Sequence, residues 1–222
     1  MKNIAIIPVR GGSKRLVKKN RLLLNDIPLF LHSVFYAQKN KNIIDKLVIS
    51  TDCKEIKKIA LEHEINVIDR PEFLSGDYAS TVSALKHTLE TIEEKFDNVI
   101  LLQATNPLRP KNLINEAYKV FHDGNYDSLM TVTRNNDKLG KIVENKFIPI
   151  NYKVGQRSQD LEPLYKENGL LYISKTSLIL ENKILGKKNY SFIVDHPFSK
   201  VDIDTLDDFK FANYIIKNYI YE

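Results

Sequence analysis

The sequence predicts an α/β fold, a mostly parallel sheet covered by helices on both faces. Strand-like and helix-like stretches alternate along most of the chain, the pattern of strands joined by crossover helices. The first apolar run, Ile4–Ile7, is continuous rather than alternating, as in a strand buried on both faces. The chain has 222 residues, 43% hydrophobic and 27% charged, without linker, repeat or low-complexity segment. A single domain over 1–222 is expected.

After Ile4–Ile7, Leu29–Gln38 reads as a helix. "KLVIST" (Lys46–Thr51) is the second strand. "DCKEIKKIALEH" is the second helix, with Ile56, Ile59 and Ala60 facing inward, and "INVI" is a short third strand. From Ser80 to Phe96, Val82, Leu85, Leu89, Ile92 and Phe96 recur at intervals of three and four, which draws one apolar stripe on a helix. Ser80 or Thr81 can cap its first turn. "NVILLQ" (Asn98–Gln103) is a central strand ended by "TNPLRP", and Pro110 suits the first turn of a helix over Lys111–His122. "SLMTVT" is a further strand. "KIVENKFIPI" reads as a hairpin turning at Glu144-Asn145-Lys146. "GLLYIS" and "KVDIDT" read as strands. Thr205 then opens a terminal helix with a capping-box pattern, Thr205-x-x-Asp208, and an apolar side of Leu206, Phe209, Ala212, Ile215, Ile216 and Tyr219.

Net charge is +5, and its placement is informative. Residues 1–21 hold seven Lys and Arg and no carboxylate, which leaves 26 cations against 28 anions in the rest. A nucleic-acid binder spreads basic residues along a face to track a backbone. Concentration in one segment favours a compact anion, the bland alternative being a solvated basic loop. No apolar run approaches a membrane span, with Pro8 and Arg10 interrupting the first. No signal peptide is expected. The lone cysteine, Cys53, excludes an internal disulfide and suits a reducing cytoplasm.

In a parallel sheet, ligands sit beyond the carboxyl ends of the strands. Four segments there carry candidate chemistry. "AIIPVRGGSKRLVKKN" matches neither the P-loop nor the dinucleotide fingerprint. It remains a strand emptying through Arg10 into Gly11-Gly12-Ser13, then Lys14, Lys18, Lys19 and Asn20. Glycines let backbone N–H groups approach a phosphate and lysines neutralise it, so a triphosphate or pyrophosphate site is expected. In "VDIDT", Asp202 and Asp204 are one residue apart on an expected strand and share a face. Such carboxylates repel unless a cation lies between them, and all-oxygen ligands suit Mg²⁺. The alternative is a helix approach in which one Asp caps and the other is solvated. In "LLQATNPLRP", Gln103, Thr105, Asn106 and Arg109 follow a buried strand, and Arg109 could clamp a carboxylate or phosphate. "QRSQDLEPLYKENGLLYIS" offers Arg157, Gln159, Tyr165, Lys166 and Asn168, a set suited to a polyhydroxylated ligand or to a surface loop.

Together "AIIPVRGGSKRLVKKN", "VISTD", "RPEFLSGDYASTVSALKHTLE", "LLQATNPLR", "QDLEPLYKENGLLYIS" and "VDIDTLDDF" occur in the order found in the acylneuraminate cytidylyltransferases, the CMP-sialic acid synthetases. The chain resembles that family over essentially its whole length. The resemblance implies a three-layer α/β/α domain of the nucleotide-sugar-transferase type, Rossmann-like, and a homodimer with a dimerisation insert at about 135–165. It implies transfer of CMP from CTP to a nonulosonic acid with Mg²⁺. Carried over by motif, Arg10, Gly11, Gly12, Ser13, Lys14, Lys19 and Asn20 would hold the triphosphate, with Lys14 and Lys19 also catalytic. Arg70, Ala79, Ser80 and Thr81 would form the cytidine pocket. Gln103, Thr105, Asn106, Arg109, Lys141, Arg157, Lys166 and Tyr172 would lie on the sugar side, and Asp202 and Asp204 would hold the metal. Arg15, Val17, Asn106 and Lys166 depart from residues common in these motifs. The Arg15-type loop resembles pseudaminic-acid relatives, and "ENGLLYI" resembles sialic or legionaminic enzymes. A non-catalytic nucleotide- or nucleic-acid-binding module is the alternative from another class.

Overall fold

The computed structural model describes residues 1–219. In chain order the strands are β1 (Asn3–Pro8), β2 (Leu23–Leu24), β3 (Ile27–Pro28), β4 (Lys46–Thr51), β5 (Asn66–Asp69), β6 (Asn98–Leu101), β7 (Ser128–Asn135), β8 (Gly140–Val143), β9 (Lys146–Pro149), β10 (Leu164–Lys175) and β11 (Asn189–Ile193). The helices are α1 (Leu29–Gln38), α2 (Lys54–Glu62), α3 (Thr81–Thr91), α4 (Leu113–Asp123), α5 (Thr176–Leu180) and α6 (Leu206–Asn218). Seven strands form one sheet in the order β11-β7-β10-β6-β1-β4-β5. β1 runs parallel to β4 and β6, β4 to β5, and β7 to β11; β10 alone is reversed between β6 and β7.

The two faces of β1 explain the layers. Alternate side chains project to opposite faces of a strand. Ala5 and Ile7 enter a core with α1, α2 and α4, whereas Ile4 and Ile6 enter a second core with α3 and α5. All four are fully buried, and each isoleucine so buried contributes about 1.5–3 kcal/mol. α6 closes a third, smaller core in which Ala212 and Ile215 meet Leu24, Leu29, Phe198, Val201 and Ile203. Among the described residues no helix is long and apolar enough to cross a membrane.

Most expected elements form, and the departures have local causes. "KVDIDT" joins no ladder. Val201 and Ile203 are buried in the core beside α6, and the Ile203 N–H donates to the Thr105 carbonyl at 2.8 Å. The alternation of the segment is real, but its apolar side faces a small core rather than a sheet neighbour. α3 stops at Thr91, because Ile92 turns extended and Glu94 beyond it is held by Lys2 and Lys46. Pro110 lies before α4 rather than in its first turn; Asn112 is the N-cap, and the Pro110 carbonyl accepts from the Leu113 N–H at 3.2 Å. "GLLYIS" is the second half of β10, set off by a bulge in which Gly169 has φ +72°. Such a left-handed angle costs glycine little. β2 and β3, β11 and α5 were not foreseen. The first pair turns on Asn25-Asp26, both at positive φ, the signature of a tight hairpin.

The expected hairpin at 141–150 forms as β8 and β9, with Glu144 and Asn145 at positive φ in its turn. It is a separate two-stranded sheet and is almost wholly exposed.

Candidate active site

The carboxyl ends of β1, β4 and β6 open on one edge of the sheet, and the loop after β1 lies across it. That loop is fixed at several points. The Val9 N–H donates to the Ser50 carbonyl, the Gly11 N–H to Asp52 Oδ1 at 2.9 Å, and Asn20 Nδ2 to the Arg10 carbonyl at 2.9 Å. A Cβ on Gly11 would stand 2.8 Å from Cys53 Cβ at the start of α2, so this approach of loop to helix requires glycine. Lys18, with φ 56°, turns the chain into a short 3-10 turn at Lys19–Arg21.

A cavity of about 310 Å³ results. Arg10, Ser13, Lys14, Lys19 and Asn20 line it from the loop, and Arg70, Ala79, Ser80 and Thr81 from the β5–α3 side. Gln103 and Thr105 close it beyond β6, and Asp204 bounds it before α6. The fold therefore brings together most of the residues singled out for nucleotide binding, from segments far apart in sequence. Ser80 is the N-cap of α3, its hydroxyl accepting from the Ser83 N–H at 3.3 Å.

The cavity is strongly cationic. Arg10, Lys14, Arg15, Lys19 and Arg70 face it, against Asp77 and Asp204. Arg10 donates to the Gly76 carbonyl at 3.2 Å, and Lys14 pairs with Asp77. Both cations, Lys14 first, hold the Asp77 carboxyl below the usual range. Lys19 is nearly buried, and its Nζ donates to the Ile203 carbonyl and to Asp204 Oδ1, each at 2.8 Å. The Arg70 guanidinium is buried with Nε and one terminal nitrogen lacking a hydrogen-bond acceptor, and Asp52 is 3.8 Å away. Such donors without a hydrogen bond call for an explanation, and Arg70 is one of the residues that line the cavity. The Asn20 side-chain oxygen is likewise unsatisfied.

Asp202 is exposed and does not itself line the cavity, although the groups packed around its carboxyl desolvate it. That desolvation first, and the Asp204 carboxylate second, push it above the usual range, while a hydrogen bond from Thr105 opposes the shift. A cation between two such carboxylates would relieve both effects. Asp202 and Asp204 are hard oxygen donors and fit a divalent cation that takes its other ligands from substrate or water. Among the described residues no group of three or more His, Cys, Asp or Glu is placed to hold a metal.

Other expected site residues lie elsewhere. Asn106 is buried, its amide donating to the Asn168 and Val201 carbonyls. Arg109 is fully buried, donating to the Leu170 carbonyl at 2.6 Å, Ser33 Oγ at 2.9 Å and the Gln103 carbonyl at 2.8 Å. It braces the loop carrying Gln103 instead of reaching into the cavity. Gly12 does not line the cavity, and a Cβ there would meet open space. Lys141 and Arg157 are in the 135–165 segment, outside this cavity, and Arg157 pairs with Asp160 at 2.8 Å. Lys166 is exposed on β10, and the Tyr172 hydroxyl donates to the Glu167 carboxylate. Arg15 and Asp77 were not foreseen as site residues. The Ser75-Gly76-Asp77 turn opposite the basic loop is the signal that points to Asp77.

Five cations around a cavity of about 310 Å³, Asp204 at its edge and a mostly parallel sheet beneath fit one class of protein, the nucleotidyltransferases. A family described as Cytidylyltransferase matches residues 4–222. The chain belongs to this family. It is 34% identical to a pseudaminic acid cytidylyltransferase of Campylobacter jejuni subsp. jejuni serotype O:23/36, over 98% of this chain and 97% of that one. It is 34% identical to an N-acylneuraminate cytidylyltransferase of Streptococcus agalactiae serotype V, over 94% of this chain and 52% of that one. It is 31% identical to a CMP-N,N'-diacetyllegionaminic acid synthase of Legionella pneumophila, over 92% of each. Among solved structures, a CMP:2-keto-3-deoxy-manno-octonic acid synthetase complexed with CTP shares the fold with TM-score 0.74 at 14% identity, over 99% of this chain and all of that one.

Proposed function

We propose that the chain transfers CMP from CTP to the anomeric hydroxyl of a nonulosonic acid and releases pyrophosphate. The observation that carries this reading is the cationic cavity, with Arg10, Lys14 and Lys19 at its loop side and the Arg70 guanidinium, two of its nitrogens without a hydrogen bond, opposite. A triphosphate at the loop leaves its cytidine toward Arg70, Ala79, Ser80 and Thr81. The sugar then enters beside Gln103 and Thr105, with Lys166 and Tyr172 beyond them.

The hydroxyl oxygen bonds to the α-phosphorus, the bond from that phosphorus to the α,β-bridging oxygen breaks so that the oxygen leaves with pyrophosphate, and the hydroxyl proton passes to solvent water. Catalysis in such transfers is positioning and charge neutralisation. Lys14 and Lys19 neutralise the departing pyrophosphate, and Gln103 and Thr105 orient the sugar. Asp202 and Asp204 would hold Mg²⁺, which would supply charge neutralisation and a lowered pKa for the attacking hydroxyl.

The nonulosonic acid is pseudaminic, legionaminic or N-acetylneuraminic acid. The full-length relationship to the pseudaminic acid cytidylyltransferase and the shared chemistry of all three relatives support this set. The working unit is a homodimer formed through the 135–165 segment, whose hairpin exposes Ile142, Phe147 and Ile150. The free Cys53 supports a cytoplasmic setting.

The test is incubation with CTP, Mg²⁺ and each of these acids, with pyrophosphate as the readout. Release with one or more is expected, and none with any of them overturns the reading. Release that survives Asp202→Ala with Asp204→Ala overturns the metal assignment.

A further inference from the structure

Both carboxylate oxygens of Asp204 are occupied by cationic side chains. Oδ1 accepts from Lys19 at 2.8 Å and Oδ2 from Arg15 at 2.7 Å. The two donors are held very differently. The Lys19 side chain is 11% exposed and also bonds the Ile203 carbonyl. The Arg15 side chain is 69% exposed and has no other protein acceptor among the described residues.

We propose that Arg15 is a positioning residue that stands in for the metal at Asp204 while the site is free of nucleotide, and moves to the triphosphate when the metal arrives. The inference rests on the CTP and metal reading above. A divalent cation needs an oxygen of Asp204. Removing Lys19 from that carboxylate would strip a nearly buried ammonium of one partner, which is costly. Removing Arg15 breaks an exposed pair, which is cheap. Arg15 is therefore the donor that yields.

The released guanidinium has an attractive destination. Arg15 lines the same cavity as Lys14 and Lys19, and its planar fork matches two oxygens of a phosphate. Metal alone must break the Arg15–Asp204 contact without replacement. Metal arriving with a triphosphate gives Arg15 a new partner. Arg15 thus makes the two binding events favour each other, and the effect is reciprocal.

The test uses the whole chain and Mn²⁺ as the probe, with free Mn²⁺ counted by electron paramagnetic resonance in the absence of nucleotide. Arg15→Ala should bind Mn²⁺ about two- to five-fold more tightly than the parent, as expected when one exposed competing pair is removed. Adding Asp204→Asn should erase the gain. CTP binding in EDTA, followed by calorimetry, should weaken in Arg15→Ala. Unchanged or weaker Mn²⁺ binding by Arg15→Ala, with the parent binding Mn²⁺, overturns the role of Arg15 alone. Absence of Mn²⁺ binding by both proteins overturns the metal reading and this inference with it.

Discussion

Lys19 Nζ stands 2.8 Å from Asp204 Oδ1 and joins the loop after β1 to the approach of α6, 185 residues later. One ammonium fixes the basic loop, satisfies the Ile203 carbonyl and neutralises half of the acidic pair. Lys19→Met keeps the length of the side chain and removes its donors. It should lower stability by about 1–3 kcal/mol through the orphaned acceptors. It should also lower kcat/KM for CTP by roughly 100-fold, as for loss of an oriented charge at a transferring phosphoryl group. Denaturant unfolding and pyrophosphate release measure the two effects, and an unaltered kcat/KM would remove Lys19 from the site.

The sheet was legible because its strands are short apolar runs separated by amphipathic helices. The basic cradle was legible because glycines and lysines cluster within one segment. What sequence could not display is competition for partners. "KVDIDT" alternates as a strand does, yet the burial of Val201 and Ile203 is supplied by α6 and not by a ladder. Arg109 looks like a ligand clamp, but its guanidinium meets acceptors from Ser33, Gln103 and Leu170. Those partners are remote in sequence, so only the fold reveals that they are there. Asn106 is diverted in the same way by Asn168 and Val201.

Arg109 accordingly acts on stability. Arg109→Lys retains the charge but cannot span divergent acceptors with a single nitrogen. A loss of about 2–4 kcal/mol is expected from the buried groups left unpaired. The fraction that remains folded should keep its KM for the sugar, and a large rise in that KM without loss of thermal stability would return Arg109 to the sugar site.

His32 gives the fold a pH dependence. Its Nε2–H donates to the Leu24 carbonyl at 2.9 Å. Burial, aided by the nearby Arg109 charge, holds its imidazole below the ordinary value, against the opposing pull of hydrogen bonds to Leu24 and Ile27. As pH falls through about 6.5, the unfolded chain takes up a proton that the native state refuses. The stabilisation is therefore complete above that pH and is lost as pH falls through the lower native value. His32→Gln keeps a donor and does not titrate. The stability difference between the parent and this variant should shift in favour of the variant between pH 7 and pH 5, and a pH-independent difference would exclude the role.

The β8–β9 hairpin exposes an apolar face that no described residue covers. Ile142 is 76% exposed and stands opposite Phe147, 55% exposed, on the same face of the two-stranded sheet. The Phe147 ring lies over Gly140, where a Cβ would fall 2.2 Å from it. Glycine thus gives the aromatic its place on that face, and contiguous exposed apolar surface of this kind marks an interface. Lys141 and Arg157 belong to the same segment and do not line the nucleotide cavity of their own chain, so either is a candidate to reach the sugar from a second copy. Ile142→Asp puts a charge in the centre of the face without touching the main cores. It should convert a dimer to a monomer in sedimentation equilibrium, with thermal stability of the monomer largely retained. If Lys141 or Arg157 acts across the interface, KM for the sugar should rise while CTP affinity stays unchanged. A parent chain that sediments as a monomer, or a variant that still dimerises, removes the hairpin from assembly.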